Sequence, residues 1–103
     1  MRSSSIAGLG HYLPHETISN RDLETLVDTS DQWITTRTGI QSRHRAAVSE
    51  ATSDLAIEAS RRALADAELE AETIDLILLA TATPDAPVPS TASLVQDALG
   101  IYN

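Results

Sequence analysis

A stretch in the first half of the chain carries positive charge and no carboxylate. Gln32–Ser49 reads QWITTRTGIQSRHRAAVS and contains three arginines, one histidine and the only tryptophan. All fifteen acidic residues lie elsewhere in a chain whose net charge is -8. Clustered guanidinium groups recognise phosphate through paired, charge-assisted hydrogen bonds. The charge pattern therefore predicts an anion-binding site in this stretch.

Trp33 and Arg37 have the spacing that best fits such a site. Residues four apart lie on the same face of a helix, about one turn from each other. An indole beside a guanidinium suits a ligand with a flat base and phosphate groups. A half-buried tryptophan with the arginine stem packed on it would have the same spacing, so both interpretations stay open. Arg43 and Arg45 are expected to pair with acidic residues and are not counted as ligands.

The composition restricts the classes of protein to which the chain can belong. Its 103 residues allow one modest core, so it is one domain or part of one. The absence of cysteine excludes disulfides, cysteine-ligated metals and a thiol nucleophile in this chain. A net charge of -8 argues against a general nucleic-acid-binding protein. No signal peptide and no membrane-spanning run is found, so we expect a cytoplasmic protein that inserts in no membrane.

Short elements are predicted in the first half of the chain, where they would position the candidate residues. The signals are Asn, Ser or Asp at a helix start and Gly at a helix end. They predict, in order, a strand over Ser4–Leu9, a helix over Arg21–Val27 capped by Asn20, a helix from Ser30 or Asp31 to about Thr36 that Gly39 ends, and an extended segment over Ile40–Arg45.

Two longer helices are predicted in the second half. Thr52 and Ser53 open a helix over Asp54–Ala67. On its outer face Glu58 precedes Arg61 and Arg62 by three and four residues, which is the favourable order for ion pairs along a helix. Small apolar residues form a stripe along this helix, so another segment can approach its backbone closely; they are Ala56, Ala59, Ala63 and Ala67. Ser90 caps the second helix, which runs to about Leu99 and is ended by Gly100, with Ile101 folding back on the last turn.

An almost continuous apolar run lies between these helices. Thr73–Ala82 contains IDLILLATA, which is typical of an interior strand of a parallel sheet covered on both faces. The chain offers few neighbouring strands for it, and such small sheets are barely stable. We therefore expect that the chain is not a whole folding unit and that a further polypeptide completes its sheet.

The run DTSDQWITTRTGI at Asp28–Ile40 resembles the N-terminal signature of beta-ketoacyl-acyl carrier protein synthase III, a condensing enzyme of the thiolase superfamily. The flanking sequence agrees, with IAGLGHYLP before the signature and SRHRA, TSDLAIEASRRAL and IDLILLATATPDAPVPSTASLVQDALGI after it. The resemblance implies an α/β fold class: the N-terminal part of a thiolase-like layered α/β/α/β/α fold with a mixed, mostly parallel sheet, incomplete in this chain. Residues 1–103 would form part of the first thiolase-like domain.

The activity that the resemblance implies is a decarboxylative condensation of an acyl-coenzyme A primer with malonyl-acyl carrier protein, which starts fatty acid biosynthesis. The family uses a cysteine, a histidine and an asparagine, and none of these positions exists here, so we expect no catalytic residue in this chain and no activity of the chain alone. By resemblance, Trp33 stacks on the adenine of coenzyme A, Thr29 lies beside the base and Arg37 faces the phosphates. No cofactor is implied, since acyl-coenzyme A is a substrate, and the expected assembly is a homodimer completed by the C-terminal remainder.

The loop Pro84–Pro89 corresponds to a family segment that crosses the dimer interface and helps to close the acyl pocket of the partner subunit. Pro87 and Val88 belong to this loop, and Val88 stands where a larger apolar residue, often Phe, is common in the family. The smaller side chain predicts tolerance of longer or branched primers, unless neighbouring side chains fill the space.

Two other interpretations compete with this one. Superfamily relatives transfer acyl groups to alcohols or amines or act in polyketide pathways, and the chain could also be a non-catalytic interaction module. A metal site at His11–His15 is only weakly indicated, and none is predicted.

Overall fold

The computed structural model describes residues 1–102 and divides into two compact units. One unit is Leu13–Ser49, and the other combines Met1–Tyr12 with the chain from Glu50 onward. The helices and strands, in chain order, are β1 (Glu16–Ser19), α1 (Asn20–Glu24), α2 (Asp31–Thr38), β2 (Ser42–Arg45), α3 (Thr52–Ala67), a 3-10 turn (Ala71–Thr73) and α4 (Thr91–Leu99).

The Leu13–Ser49 unit is built around a short antiparallel pair. β1 pairs with β2, with Glu16 opposite Arg45 and Ser19 opposite Ser42. Arg45 also donates two side-chain hydrogen bonds to the Glu16 carboxylate, at 3.0 and 2.6 Å, and thereby lowers the pKa of Glu16. The extended segment predicted over Ile40–Arg45 is thus confirmed as a strand over Ser42–Arg45, whereas its partner β1 was not predicted.

The first helix differs from its prediction at both ends. Ser19, and not Asn20, is the N-cap: its hydroxyl accepts from the backbone N–H of Asp22, whose carboxylate in turn accepts from the N–H of Ser19. This reciprocal arrangement satisfies two donors that a helix start leaves free. The helix ends at Glu24 instead of Val27, and the side chain of Val27 is exposed.

Helix α2 follows its local signals. The sequence allowed either Ser30 or Asp31 as the N-cap. The Ser30 hydroxyl accepts from the backbone N–H of Trp33, so Ser30 is the N-cap. Gly39 ends the helix with φ of 71°, a conformation that glycine adopts without a side-chain clash. The helix extends to Thr38, two residues beyond the predicted end.

The other unit is organised by the packing of α3 against α4. Both predicted helices are confirmed, and Glu58 lies 3.8 Å from both Arg61 and Arg62 on the outer face of α3. Gly100 ends α4 with φ of 73°, and Ile101 folds back so that its N–H donates to the carbonyl of Gln96. Val95 and Ile101 are almost fully buried and form the apolar centre of this unit.

The N-terminal segment is not the strand that was predicted over Ser4–Leu9. It contacts α3 instead, and the N–H of Leu9 donates to the Asp66 carboxylate at 2.9 Å. A Cβ added to Gly10 would lie 2.3 Å from the Ala59 carbonyl oxygen and from the Ala63 nitrogen. The close backbone approach predicted from the alanine stripe is therefore confirmed, with the N-terminal segment as the approaching element.

The strand predicted over Thr73–Ala82 is also absent. Its first residue belongs to the 3-10 turn, and the segment that follows forms no ladder within residues 1–102, where the β1–β2 pair is the sheet. Leu76 and Leu78 are 71% and 87% exposed. A strand exists only through hydrogen bonds to a neighbour, so an apolar run without a partner strand stays irregular. This exposed apolar surface agrees with a sheet that is incomplete in this chain.

Membrane insertion by a helix finds no support in the part of the chain that the structure describes, since none of its helices combines the length and the apolar character that spanning a bilayer requires.

Candidate functional site

The site predicted from spacing lies on α2. The guanidinium carbon of Arg37 is 5.5 Å from the centre of the Trp33 ring, a distance at which a cation is attracted to the face of an aromatic system. Trp33 keeps 56% of its surface exposed. The predicted placement of the two side chains on one helix face is therefore confirmed, and the indole is exposed.

A shallow depression surrounds these two side chains. Its volume is about 310 Å³, and it is lined by Ser30, Gln32, Trp33, Thr36 and Arg37. This volume is at the lower end of small-ligand sites, enough for a planar ring but not for a whole dinucleotide-sized molecule. Thr29 is half-buried at the residue before the N-cap and is not among the lining residues.

The charge of the site comes from Arg37. This side chain is in the last turn of α2, where the helix dipole favours a cation. Within residues 1–102 its guanidinium forms no ion pair and lies against the Trp33 ring. The depression thus presents an aromatic face and a charge not neutralised by a carboxylate, the combination that recognises a base bearing phosphate groups.

The other two arginines of the carboxylate-free stretch have structural partners. Arg45 pairs with Glu16, as described above, so its predicted pairing with an acidic residue is confirmed. Arg43 donates to the Asn20 side-chain oxygen at 2.7 Å and to the Ile18 carbonyl at 3.3 Å, so its partners are neutral groups and not an acid. Of the three arginines in the stretch, Arg37 is the one left for a ligand.

Asn20 is a residue whose role the sequence analysis missed. It is 1% exposed, and its amide donates to Asp31 at 2.9 Å, to Thr35 at 3.2 Å and to the Ile40 carbonyl at 2.7 Å. Its oxygen accepts from Arg43. This network ties α2 to the strand pair and holds the helix that carries Trp33 and Arg37. The sequence signal that was overlooked is Ser19 with Asp22 three residues later, a capping box that frees Asn20 for another role.

No histidine and no residue of the loop Pro84–Pro89 lines this depression. A ring nitrogen of His44 donates to the Pro14 carbonyl at 2.5 Å, a structural contact. No group of three His, Asp or Glu side chains suited to a metal occurs in residues 1–102. Pro87 and Val88 lie in an irregular segment, and Val88 is 83% exposed.

No model of a protein family matches the chain. Individual proteins, however, match it over its whole length. The chain is 61% identical over 103 residues to beta-ketoacyl-acyl-carrier-protein synthase III of Neisseria gonorrhoeae, covering 100% of this chain and 32% of the relative. The crystal structure of 3-oxoacyl-acyl-carrier-protein synthase III from Aquifex aeolicus matches with a TM-score of 0.82 and 51% identity, over 94% of this chain and 32% of that one.

A third match comes from a different biosynthetic context. The crystal structure of a priming beta-ketosynthase from a polyketide pathway has a TM-score of 0.82 and 36% identity, over 92% of this chain and 28% of that one. The chain therefore spans about a third of the length of the relatives it matches. These similarities confirm the predicted fold class, an incomplete part of a layered α/β fold of the thiolase type.

Proposed function

Since the chain belongs to the beta-ketoacyl-acyl carrier protein synthase III family, we propose that it is part of an acyltransferase that condenses an acyl-coenzyme A primer with malonyl-acyl carrier protein. This reaction starts fatty acid biosynthesis. In the complete enzyme the acyl group would move from coenzyme A to a cysteine and then join the carbanion formed when the malonyl group loses carbon dioxide. Residues 1–103 correspond, in this proposal, to the N-terminal part of the first thiolase-like domain.

The role of this chain is the entrance for coenzyme A. Trp33 offers an exposed indole on which the adenine stacks, and Arg37 offers the guanidinium that binds the phosphates. Thr29 would lie beside the base, at the edge of the depression rather than in its lining. The observation that carries the proposal is the contact of Arg37 with the accessible Trp33 ring, in a stretch where the other arginines have protein partners.

The chemistry itself needs groups that this chain does not hold. A thiolate is the acceptor in the proposed transfer, and the chain has no cysteine. The nucleophile and the enolate-stabilising side chains would come from the remainder of the synthase, in a cytoplasmic homodimer. No cofactor is required, because acyl-coenzyme A enters as a substrate.

An assay of the full-length synthase beside the 103-residue chain tests this division of roles. We expect the full-length protein to release carbon dioxide from malonyl-acyl carrier protein and to form the condensed product when acyl-coenzyme A is added. The chain alone should form neither product, because it has no thiol to acylate. A full-length protein inactive with every acyl-coenzyme A would contradict the proposed function. An active isolated chain would contradict the proposed division of roles between this chain and the remainder of the synthase.

A second candidate function has one observation in its favour. The polyketide priming ketosynthase matches this chain with the same TM-score as the Aquifex aeolicus synthase, although at lower identity. The same fold could therefore deliver its primer to a polyketide carrier protein. Competition between a fatty-acid carrier protein and a polyketide carrier protein, each loaded with malonate, separates the two functions by the product formed.

The size of the residue at position 88 gives a prediction about primers. We expect Val88→Phe in the full-length enzyme to lower kcat/KM for isobutyryl-coenzyme A roughly tenfold relative to acetyl-coenzyme A, since a few carbon atoms in an apolar pocket change discrimination by such factors. Steady-state kinetics with both primers measure the ratio. Val48→Phe, the same change at another exposed valine, is the matched control. An unaltered ratio in Val88→Phe would show that other side chains define the pocket.

A further inference from the structure

The side chain of Asp85 attaches the loop Thr83–Pro89 to the start of α3. Asp85 accepts two hydrogen bonds from Ser53, one from its backbone N–H at 2.8 Å and one from its hydroxyl at 2.5 Å. Ser53 is 7% exposed and belongs to the first turn of α3. A carboxylate bound by both oxygens at a helix N-terminus is strongly oriented, because the hydrogen bonds are charge-assisted and the helix dipole favours the anion.

The same residue also connects the loop to α4. The backbone N–H of Asp85 donates to the Thr91 hydroxyl at 3.2 Å, and Thr91, the first residue of α4, is 4% exposed. A second link joins the start of α3 to the loop, since the Thr52 hydroxyl donates to the Thr83 carbonyl at 2.5 Å. Asp85 therefore sets the position of the loop with respect to both helix starts.

The rest of the loop has few means of anchoring itself. Pro84, Pro87 and Pro89 have no backbone N–H and cannot donate a hydrogen bond. Val88 lies three residues after Asp85, and its side chain is 83% exposed. The location of this side chain consequently depends on where the Asp85 contacts place the backbone.

From these contacts we propose that Asp85 is a positioning residue that sets the place of Val88 and, through it, the range of acyl primers. This inference rests on the proposed function, in which the loop helps to close an acyl pocket. Asp85 itself touches no reacting atom in this proposal. It acts by holding the loop on the first turns of α3 and α4.

Three variants of the full-length synthase separate this role from a general loss of stability. Asp85→Ala removes both hydrogen bonds to Ser53, and Ser53→Ala removes the hydroxyl contact alone. Asp85→Asn keeps an oxygen for the Ser53 N–H and has an amide that can donate to the Ser53 hydroxyl.

The measured quantity is kcat/KM for acetyl-coenzyme A divided by kcat/KM for isobutyryl-coenzyme A. We expect Asp85→Ala to change this ratio roughly tenfold, the range in which small shifts of a pocket wall act. Ser53→Ala should change it less and in the same direction, and Asp85→Asn should restore it toward the wild-type value.

Asp66→Ala is the matched control for stability. It also removes a carboxylate that accepts a backbone N–H, from Leu9, but in a contact on α3 that does not involve the loop. We expect it to lower the melting temperature without changing the primer ratio. A double-mutant cycle adds a direct test of coupling: Val88→Ala should alter the ratio less in the Asp85→Ala background than in the wild type.

The outcomes distinguish this inference from the proposed function. If the wild-type enzyme discriminates between primers and the Asp85→Ala variant shows the same ratio, the positioning role of Asp85 is overturned. The proposed function is not affected by this result. If Asp85→Ala does not fold, a wild-type ratio in Ser53→Ala has the same consequence. A full-length protein that condenses no acyl-coenzyme A instead overturns the proposed function.

Discussion

Arg37→Gln in the full-length synthase is expected to raise the apparent KM for acyl-coenzyme A by about 10- to 100-fold, with kcat little changed. A hydrogen bond to a charged group contributes roughly 1.5–3 kcal/mol, which corresponds to this factor. The phosphates of the substrate are remote from the reacting carbonyl, so their contact should bind ground state and transition state alike. Steady-state kinetics at saturating malonyl-acyl carrier protein measure the effect.

Arg45→Gln is the matched control for this prediction. It removes the same charge from the same carboxylate-free stretch, but its guanidinium is already bound to Glu16. We expect its KM to remain near the wild-type value. Raising the salt concentration should reduce the difference between Arg37→Gln and the wild type, because screening weakens an exposed contact between charges. Equal KM values for the two variants would remove Arg37 from the site.

Trp33→Ala belongs to the same experiment and reports on the aromatic half of the site. Stacking of a base on an aromatic side chain is worth about 1–3 kcal/mol, so KM should rise by a similar factor. Unlike the effect of Arg37, this increase should depend little on salt. A Trp33→Ala variant with an unchanged KM would favour the alternative that the indole serves packing.

The second large effect is expected at Gly10. Gly10→Ala in the full-length protein should lower the free energy of unfolding by about 3 kcal/mol, at the upper end of the range for overpacking. The added Cβ would lie 2.3 Å from the carbonyl oxygen of Ala59 and the nitrogen of Ala63, which are backbone atoms of α3 and cannot rotate away. Thermal and chemical denaturation measure the loss.

Gly39→Ala serves as the comparison for Gly10→Ala. At Gly39 an added Cβ meets nothing within 4 Å, but the residue has φ of 71°. Only the conformational penalty applies there, roughly 1–2 kcal/mol for a left-handed residue with a side chain. We expect Gly10→Ala to be the more destabilising of the two, and the reverse order would contradict the close packing of the N-terminal segment on α3.

The predictions that succeeded depend on local chemistry. Ser30 and Ser90 accept from backbone N–H groups three residues ahead, and Gly39 and Gly100 adopt positive φ at helix ends. Each of these signals acts within one turn of helix, so the printed sequence contains all of the interacting partners. The same holds for Trp33 and Arg37, whose proximity follows from the period of α2.

The strand predictions failed because a strand is defined by a partner. Thr73–Ala82 has the apolar pattern of an interior strand, yet within residues 1–102 it forms no ladder and leaves Leu76 and Leu78 exposed. Ser4–Leu9 likewise contacts a helix instead of a strand. Pattern alone reports which segments are suited to a sheet and not whether hydrogen-bonding neighbours are present.

Local sequence signals were enough to identify the carboxylate-free stretch, the glycines that end α2 and α4, and the pairing of an indole with a guanidinium four residues later. Which arginine remains for a ligand became clear from the folded chain, since the partners of Arg43 and Arg45 are 23 and 29 residues away in sequence. The tertiary structure also decided the role of Asn20, which changed from a helix cap to a buried link between α2 and the strand pair. Hydrogen bonds between distant residues depend on how the chain folds back, and no local spacing encodes that geometry.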